Sequence, residues 1–236
     1  ASDFAEKPWS NENLLQMAAK WIGARAKMNP ELESARRVQQ SLLPVRSERP
    51  SGKFGEPGNG RLEYACRFLP AREVSGDYYD FFDKKPGHFC FAMADVSGKG
   101  VPAAMLMANL QALFRSYVQA HDEVAPSDLL RSVNGQFYES TAPESFATAF
   151  YGDFNESSGR LRYVNAGHPP VLLRRNNGEL ERLQGTAMVI GAFAGWQAET
   201  QNVQLNAGDR LLVYSDGAVE AQSLNEEEFG EERLVE

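Results

Sequence analysis

The sequence predicts an α+β fold in which antiparallel β-sheets are covered by helices. Strand-like segments come first, two amphipathic helices follow, and the remainder of the chain consists of short strand-like segments. Turn signals such as Ser158-Gly159 and Asn177-Gly178 separate these later segments, as β-hairpins require. A parallel βαβ array would need a helix between most strands, and the sequence predicts none at those positions.

The N-terminal segment, residues 10–43, is predicted to be helical. Asn29 followed by Pro30 and acidic residues indicates a helix start, so the segment is two helical pieces or one kinked helix. We expect it to pair with a second copy of the chain, and the alternative is an amphipathic helix that packs on its own domain. The expected seam follows alternating steps of four and three residues through Leu14, Ala18, Trp21, Arg25, Met28, Leu32, Ala35, Gln39 and Leu42.

Two strands are predicted after a turn-rich segment. Residues 50–60 are rich in Gly and Pro, which indicates a flexible link. Beyond it, the alternation of apolar residues from Leu62 to Phe68 predicts a strand with one buried face. The apolar run from His88 to Ala94 predicts a fully buried strand.

Two helices and five further strands complete the predicted order. The second helix is expected to start at Ser127, capped after Pro126, and to continue through Phe137. The first helix carries an apolar stripe at helical spacing, formed by Ala103, Leu106, Met107, Leu110, Leu113, Phe114 and Tyr117. The strands that follow are predicted over residues 146–154, 161–165, 171–175, 199–205 and 210–215.

The composition limits the classes of function. At 236 residues the chain can bury one substantial core with an appendage. The net charge of -8, without a dense run of Lys and Arg, argues against nucleic-acid binding. No stretch approaches the ~18 apolar residues that span a bilayer, so we expect no membrane contact by this segment and a cytoplasmic location. Cys66 and Cys90 lack metal-ligand spacing, and we expect both to be reduced core residues.

Three aspartates, Asp77, Asp95 and Asp216, each follow a strand-like run and stand beside or near a glycine. The runs are EVSGD, FAMADVSG and LLVYSDG. Any one of them is most simply a turn or cap residue. Three together indicate a shared site, because strand ends hold side chains firmly and small neighbours leave room for a hard cation and its waters.

A set of carboxylates of this kind favours magnesium or manganese over softer metals. Two such ions about 4 Å apart can activate a water molecule and offset the charge of a phosphate. The sequence therefore predicts a divalent-metal centre in which these three aspartates are the candidate catalytic and metal-binding residues. Asp80, three residues after Asp77, would either reach the metal through water or be a solvated turn residue. His168 is expected to be a turn residue rather than a general acid.

A rival motif is the G-x-G-x-x-A run from Gly98 to Ala103, which follows a predicted strand and opens a helix. In a dinucleotide-binding unit an acidic residue ends a second parallel strand about twenty positions on. Here Asp122 and Glu123 stand just after the helix instead, which argues against nucleotide binding.

Five segments occur together in the order of a known family. They are ARRVQQSLLP (35–44), PAREVSGDYYDFF (70–82), ADVSGKGVPAA (94–104), NAGHPP (165–170) and YSDG (214–217). Together they resemble the SpoIIE/RsbU-type branch of the PPM (protein phosphatase 2C type) metal-dependent Ser/Thr protein phosphatases. The resemblance covers nearly everything from Glu31 onward. It implies an α-β-β-α sandwich of two antiparallel sheets flanked by helices, preceded by an N-terminal helical linker.

The resemblance also implies roles for individual residues. Asp77 would ligate one metal ion, Asp95 would bridge two ions, and the backbone carbonyl of Val96 would add a ligand. Asp216 would ligate the second ion. The implied cofactors are two Mn²⁺ or Mg²⁺ ions, and the implied reaction is hydrolysis of phosphoserine or phosphothreonine by an activated water, without a covalent phosphoenzyme.

The branch usually acts on a phosphorylated anti-sigma-factor antagonist in a bacterial partner-switching pathway, and its phosphatase domain commonly follows a sensor domain. Residues 1–45 would then be a helical linker and dimerisation segment, with a homodimer formed through residues 10–43. Residues 46–236 would be the phosphatase domain.

Family members continue past the segment matching Phe229 to Leu234 into a final strand, and an aspartate there completes the second metal shell. Because this sequence ends at Glu236, we expect a C-terminally incomplete domain with a weakened second site. The alternative function is a catalytically weak module of the same fold that binds a signalling partner.

Overall fold

Helices and strands follow each other largely in the predicted order. The computed structural model describes residues 30–44, 51–54, 62–70, 73–85, 87–121, 123–223 and 226–235. The helices are α1 (Pro30–Leu42), α2 (Val101–Ala120), α3 (Pro126–Ser140) and α4 (Gly230–Val235). The strands are β1 (Ser51–Phe54), β2 (Leu62–Ala65), β3 (Asp77–Lys85), β4 (His88–Val96), β5 (Ala147–Asn155), β6 (Arg160–Ala166), β7 (Val171–Arg174), β8 (Leu180–Leu183), β9 (Gln201–Gln204) and β10 (Arg210–Leu212).

The strands form antiparallel sheets. The larger sheet has five strands in the order β3-β4-β5-β6-β9, and the smaller has three in the order β10-β7-β8. β1 and β2 form a separate two-stranded ribbon. Every pairing between the named strands is antiparallel, so the glycine-rich run before α2 does not belong to a parallel βαβ unit.

Two apolar layers hold these elements together, one on each face of the larger sheet. Side chains alternate across a strand, so Phe150 faces the smaller sheet while Tyr151 faces the helices. The helix side of the core includes Met107, Leu110, Phe114, Leu129, Leu130, Val133 and Phe137. The layer between the sheets includes Phe89, Phe150, Phe154, Leu161, Tyr163, Val171, Leu173 and Leu183.

The short helix α4 is attached to the smaller sheet. Glu231 accepts hydrogen bonds from Arg182 on β8, at 2.8 Å, and from the Tyr214 hydroxyl, at 3.1 Å. Helices therefore flank both sheets, which is the predicted α-β-β-α sandwich. In the part of the chain that the structure describes, no helix is both long enough and apolar enough to cross a membrane.

Several local predictions were wrong. Residues 51–54, predicted as part of a flexible link, pair with β2, because backbone pairing overrides local Gly and Ser preferences. β3 was not recognised, and Asp77 begins this strand instead of ending one. β8 was also missed, although the Asn177-Gly178 turn before it was identified. α3 begins at Pro126, one residue earlier than predicted.

The helix α1 begins at Pro30, as predicted, and packs against the same chain. Gln39 is buried, and Gln111 of α2 donates a hydrogen bond to the carbonyl of Leu42 at 3.2 Å. The sequence was compatible with two arrangements of this helix, pairing with a second copy or packing on its own domain. Pro30–Leu42 adopts the second. The seam positions from Leu14 to Met28 and the expected cap Asn29 lie outside the described residues.

Candidate metal centre

Strand pairing brings Asp77 and Asp95 together. β3 runs antiparallel to β4, so the first residue of β3 lies beside the end of β4, and Asp77 is the direct cross-strand partner of Asp95. Thr148 of β5 stands opposite Asp95 on the other side. Directly opposed residues have Cβ atoms about 5 Å apart, which places the two carboxylates at one sheet edge. Like charges in this position destabilise the pair unless a cation lies between them.

The Asp77 carboxylate is oriented by Ser75. The Ser75 hydroxyl donates to Oδ2 of Asp77 at 2.8 Å, and the backbone N–H of Asp77 donates to the same hydroxyl oxygen at 3.1 Å. A side chain held by a local hydrogen bond loses less freedom when it takes up a ligand.

Gly76 leaves space for oxygen atoms at the centre of the site. A Cβ placed on Gly76 would lie 2.7 Å from the carbonyl oxygen of Val96 and 3.2 Å from Oδ1 of Asp95. The backbone of Val96 is fixed here, because its N–H donates to the Gly76 carbonyl at 3.3 Å. The carboxylate of Asp95 and the carbonyl of Val96, both predicted ligands, therefore border the same space.

Negative charge accumulates around Asp95. Burial, as the largest cause, and the negative charges of Asp77, Asp216 and Glu220 together raise the pKa of Asp95 to about 7. Asp95 and its neighbours therefore form an electronegative site in which a cation would replace the proton.

Asp216 reaches this site from the other sheet. It lies in a 3₁₀ turn, Asp216–Ala218, a few residues after β10, and it is exposed. The backbone N–H of Glu220 donates to the Asp216 carbonyl at 2.8 Å, so the turn carries Glu220 toward the site as well. Glu220 was not predicted from the sequence, although its spacing of four residues from Asp216 is that of one helical turn.

The Asn-Ala-Gly-His motif forms a tight turn. The Asn165 side chain accepts a hydrogen bond from the backbone N–H of His168 at 2.9 Å. Gly167 has a φ of +68°, a left-handed conformation that favours glycine. The turn places the buried His168 ring with Nδ1 3.1 Å from the hydroxyl of Thr148, the residue opposite Asp95.

His168 is a neutral imidazole at physiological pH. Burial lowers its pKa to about 4, against the opposing effects of the Tyr214 backbone and the Asp216 charge. Its Nε2 is buried, and no described residue forms a hydrogen bond of ordinary geometry with it. The expectation that His168 is a turn residue agrees with this environment. The ring lies between Thr148 of β5 and the segment of Tyr214 and Asp216, a position that no sequence pattern predicted.

The residues present fit a divalent cation in charge and ligand type. The space beside Gly76 is bordered by two oxygens, and the raised pKa of Asp95 shows that its negative charge is poorly compensated. Among the described residues, no three His, Cys, Asp or Glu side chains lie close enough to hold a metal ion by themselves. Hard cations of this kind retain several waters and need few protein ligands, so a looser carboxylate set still suits them.

Known proteins match this chain over most of its length. A model of the family described as stage II sporulation protein E (SpoIIE) matches residues 85–236. Protein IcfG of Synechocystis is 30% identical over 87% of this chain and 35% of its own length. The phosphoserine phosphatase RsbU of Bacillus subtilis is 28% identical over 86% of this chain and 57% of its own length. This chain thus spans between about a third and three fifths of these two relatives.

A solved structure gives the same fold. The SiaA-PP2C domain of Pseudomonas aeruginosa superposes with a TM-score of 0.70 at 18% identity, over 90% of this chain and 81% of that domain. The order of strands and helices, the aspartate pair and the matched family model agree with one another. The chain belongs to the SpoIIE family, within the SpoIIE/RsbU-like branch of the PPM (protein phosphatase 2C type) metal-dependent phosphatases.

Proposed function

We propose that this chain is a metal-dependent protein phosphatase that hydrolyses phosphoserine or phosphothreonine. The observation that carries the proposal is the cross-strand pair of Asp77 and Asp95, with the Val96 carbonyl and the Asp95 carboxylate both close to Gly76. Two opposed carboxylates next to a backbone carbonyl suit a divalent cation, and membership of the family supports the same chemistry.

The proposed ligands are Asp77 for one ion, Asp95 for both ions, the Val96 carbonyl as an additional ligand, and Asp216 for the second ion. Mn²⁺ and Mg²⁺ both suit oxygen ligands of this kind, and RsbX, which has a similar fold, has been solved in complex with magnesium. The ions, when bound, would lower the pKa of a coordinated water and offset the charge of the phosphate.

The residues of the chain orient and hold this site. Ser75 fixes the carboxylate of Asp77 through its hydroxyl. The bonded backbones of Gly76 and Val96 keep the Val96 carbonyl beside Asp95. Since water is the proposed nucleophile, the protein forms no phosphoryl intermediate, and its contribution is positioning and electrostatic stabilisation.

The proposed substrate is a phosphorylated anti-sigma-factor antagonist of a partner-switching pathway in the bacterial cytoplasm. The similarity to RsbU, named a phosphoserine phosphatase, supports a phosphoserine substrate. We further propose that residues 1–45 link the phosphatase domain of residues 46–236 to an upstream sensor. A homodimer formed through residues 10–43 would accompany this role.

Phosphate release from a phosphorylated antagonist in the presence of Mn²⁺ tests the proposal. The Asp95→Asn variant removes one negative charge from the centre of the site. Loss of residues that only support a metal ligand costs about 10- to 100-fold. We therefore expect Asp95→Asn to lower kcat/KM by at least about 100-fold. Asp128→Asn, in an exposed ion pair on α3, is the matched control and should retain activity.

Turnover that depends on Mn²⁺ and survives Asp95→Asn would contradict the proposed site. A wild-type chain that binds the antagonist and Mn²⁺ but releases no phosphate would favour the alternative function, a binding module of the same fold. Isothermal titration of Mn²⁺ into both variants separates these outcomes, because the proposed site predicts weaker binding by Asp95→Asn.

A further inference from the structure

The helix α1 docks on the phosphatase domain through one buried polar side chain. Gln39 is 5% exposed and is the one buried residue of α1, while the neighbouring Gln40 is exposed. Nε2 of Gln39 donates to the Ser75 carbonyl at 2.7 Å, and the Ser75 N–H donates to Oε1 of Gln39 at 3.0 Å. Both ends of the buried amide and both backbone groups of Ser75 thus have partners, which buried polar groups require.

Two further contacts fix the end of α1. Gln111 of α2, itself buried, donates to the Leu42 carbonyl at 3.2 Å. Leu43, the residue after the helix, is buried in the helix side of the core. The position of Gln39 relative to Ser75 is therefore set by the docking of the whole helix end, not by one side chain.

Ser75 connects this docking to the metal centre. Its backbone is held by Gln39, and its hydroxyl donates to Oδ2 of Asp77 at 2.8 Å. Gly76, between them, lies against the Val96 carbonyl and the Asp95 carboxylate. A continuous set of hydrogen bonds thus leads from α1 to a proposed metal ligand, with no residue of α1 at the metal itself.

We propose that Gln39 is a positioning residue that sets the metal affinity of the site by holding Ser75, and through it Asp77. The inference rests on the proposed function, because it assigns Gln39 to the same metal centre. When α1 is docked, Asp77 is oriented to receive a cation. When α1 undocks, the backbone of Ser75 loses its two hydrogen bonds to Gln39. The Ser75 hydroxyl then no longer holds the Asp77 carboxylate in one orientation. By linkage, a bound cation strengthens the docking of α1 to the same extent.

The first test compares two glutamines on one helix. Gln39→Met keeps the length of the side chain and removes its hydrogen bonds, and Gln40→Met makes the same change on the exposed face. Isothermal titration of Mn²⁺ into the 236-residue chain should show about 10-fold weaker binding for Gln39→Met. Gln40→Met should bind within about 2-fold of wild type, and activity of Gln39→Met should recover at high Mn²⁺ with the KM for the phosphoprotein unchanged.

The second test follows the route through Ser75. Ser75→Ala removes the hydroxyl but leaves the contacts of α1, and we expect about 10-fold weaker Mn²⁺ binding. Ser75→Thr retains a hydroxyl and should restore most of the affinity. In the Ser75→Ala background, Gln39→Met should weaken binding by less than about 2-fold further, since the hydroxyl link is already lost. Should Gln39→Met fail to fold, Ser75→Ala and Ser75→Thr still test the hydroxyl link to Asp77 on which the inference depends, and unchanged Mn²⁺ affinity of Ser75→Ala would overturn it.

Hydrogen exchange supplies a readout without metal or substrate. The Ser75 amide, bonded to Gln39 in the wild type, should exchange faster in Gln39→Met and not in Gln40→Met. A lower melting temperature with unchanged Mn²⁺ affinity would overturn the inference, as would additive effects of Gln39→Met and Ser75→Ala. Absence of Mn²⁺ binding by the wild type would overturn the proposed function as well, which distinguishes the two failures.

Discussion

Aspartates on neighbouring strands have the same carboxyl group but different surroundings. Asp77 is oriented by a serine hydroxyl, whereas burial and like charges raise the pKa of Asp95 to about 7. Asp80, three residues after Asp77, is neither a solvated turn residue nor a water-linked ligand. Its buried carboxylate accepts two hydrogen bonds from Arg115 of α2, at 2.7 and 2.9 Å. The sequence could predict the first two as metal ligands, but it could not reveal that Arg115, 35 positions away, pairs with Asp80.

Gly76 is required by the close approach of backbone atoms at the metal centre. In Gly76→Ala the new methyl group would lie 2.7 Å from the Val96 carbonyl oxygen, a backbone atom that cannot move aside easily. Overpacking of this kind costs about 1–3 kcal/mol. We expect urea unfolding to show a loss of that size, together with weaker Mn²⁺ binding, because the methyl group enters the space beside Asp95.

The control for Gly76 is a glycine in an open position. Gly135 lies within α3, and a Cβ there would meet no described atom within 4 Å apart from its chain neighbours and the backbone of its own helix. Gly135→Ala should stabilise the chain by about 0.5–1 kcal/mol, because alanine favours the helix. Equal effects of the two substitutions, or unchanged stability in Gly76→Ala, would contradict the close packing at the site.

Elements with strong periodicity were predictable, and those defined by long-range pairing were not. The apolar stripe from Ala103 to Tyr117 predicted α2, and the buried run from His88 predicted β4. β3 was not predicted because its sequence, DYYDFFDKK, places aspartates among aromatics. Tertiary contacts, not local preference, determine that this segment is a strand. Asp80 is tolerated inside this strand because Arg115 and the Tyr78 hydroxyl satisfy its carboxylate.

Three strands are tied together by a polar network far from the metal centre. The Ser158 N–H donates to Oδ1 of Asn155, so the amide nitrogen of Asn155 faces Nε2 of His88 at 2.8 Å. Nε2 therefore accepts, and Nδ1 of His88 carries the proton that it donates to Asp153 at 2.9 Å. Arg162 on β6 donates to the other oxygen of Asp153. The network lines a cleft of about 550 Å³, where Glu123 and Arg160 are the other charged residues.

This network predicts how stability changes with pH. Burial acts to raise the pKa of Asp153, but hydrogen bonds from His88 and Arg162 outweigh it and leave the pKa lowered. The folded state thus favours the ionised carboxylate. The stability that this carboxylate contributes is fully present above the unfolded pKa of about 4, and it is lost as the pH falls through the lower folded pKa. Asp153→Asn should lower the free energy of unfolding by about 2 kcal/mol at pH 7, with a smaller difference below about pH 4.

Urea unfolding of wild type and Asp153→Asn at pH 7 and pH 3 measures this difference. Asp128→Asn removes a carboxylate from an exposed pair with Arg131 and serves as the control. Exposed pairs contribute at most about 1 kcal/mol, so this variant should differ little from wild type at either pH. A difference for Asp153→Asn that is the same at both pH values would show that its ionisation does not stabilise the fold.

The whole molecule joins residues that are far apart in sequence into one site. Asp77 and Asp95 come together by the pairing of β3 with β4, which could not be predicted because the sequence of β3 does not show a strand pattern. Asp216 approaches from the other sheet, and α1 supports Ser75 from 36 positions away. A local sequence pattern cannot relate residues that are so far apart in the chain. The support of Ser75 by α1 was therefore visible only in the folded structure.

The packing of α1 on its own domain also limits how two chains would pair. Gln39 and Leu42 of the predicted seam bond to their own domain. We therefore expect any pairing with a second copy to use the seam positions from Leu14 to Met28. We expect the 236-residue chain to sediment as a dimer. Leu14→Asp places a charge in the apolar seam and should weaken dimerisation by about 10-fold or more, since burying an unpaired charge is costly.

Gln16→Asp is the matched control, because it adds the same charge two residues along and off the seam. Its dimer dissociation constant should stay within about 2-fold of wild type, as expected for a solvated position. Sedimentation equilibrium over a range of concentrations gives all three constants. Equal weakening by the two substitutions would show that the pairing does not use the predicted seam. A wild-type chain that remains monomeric would contradict the dimer itself, and the coupling of Gln39 to the metal centre would then act within a single chain.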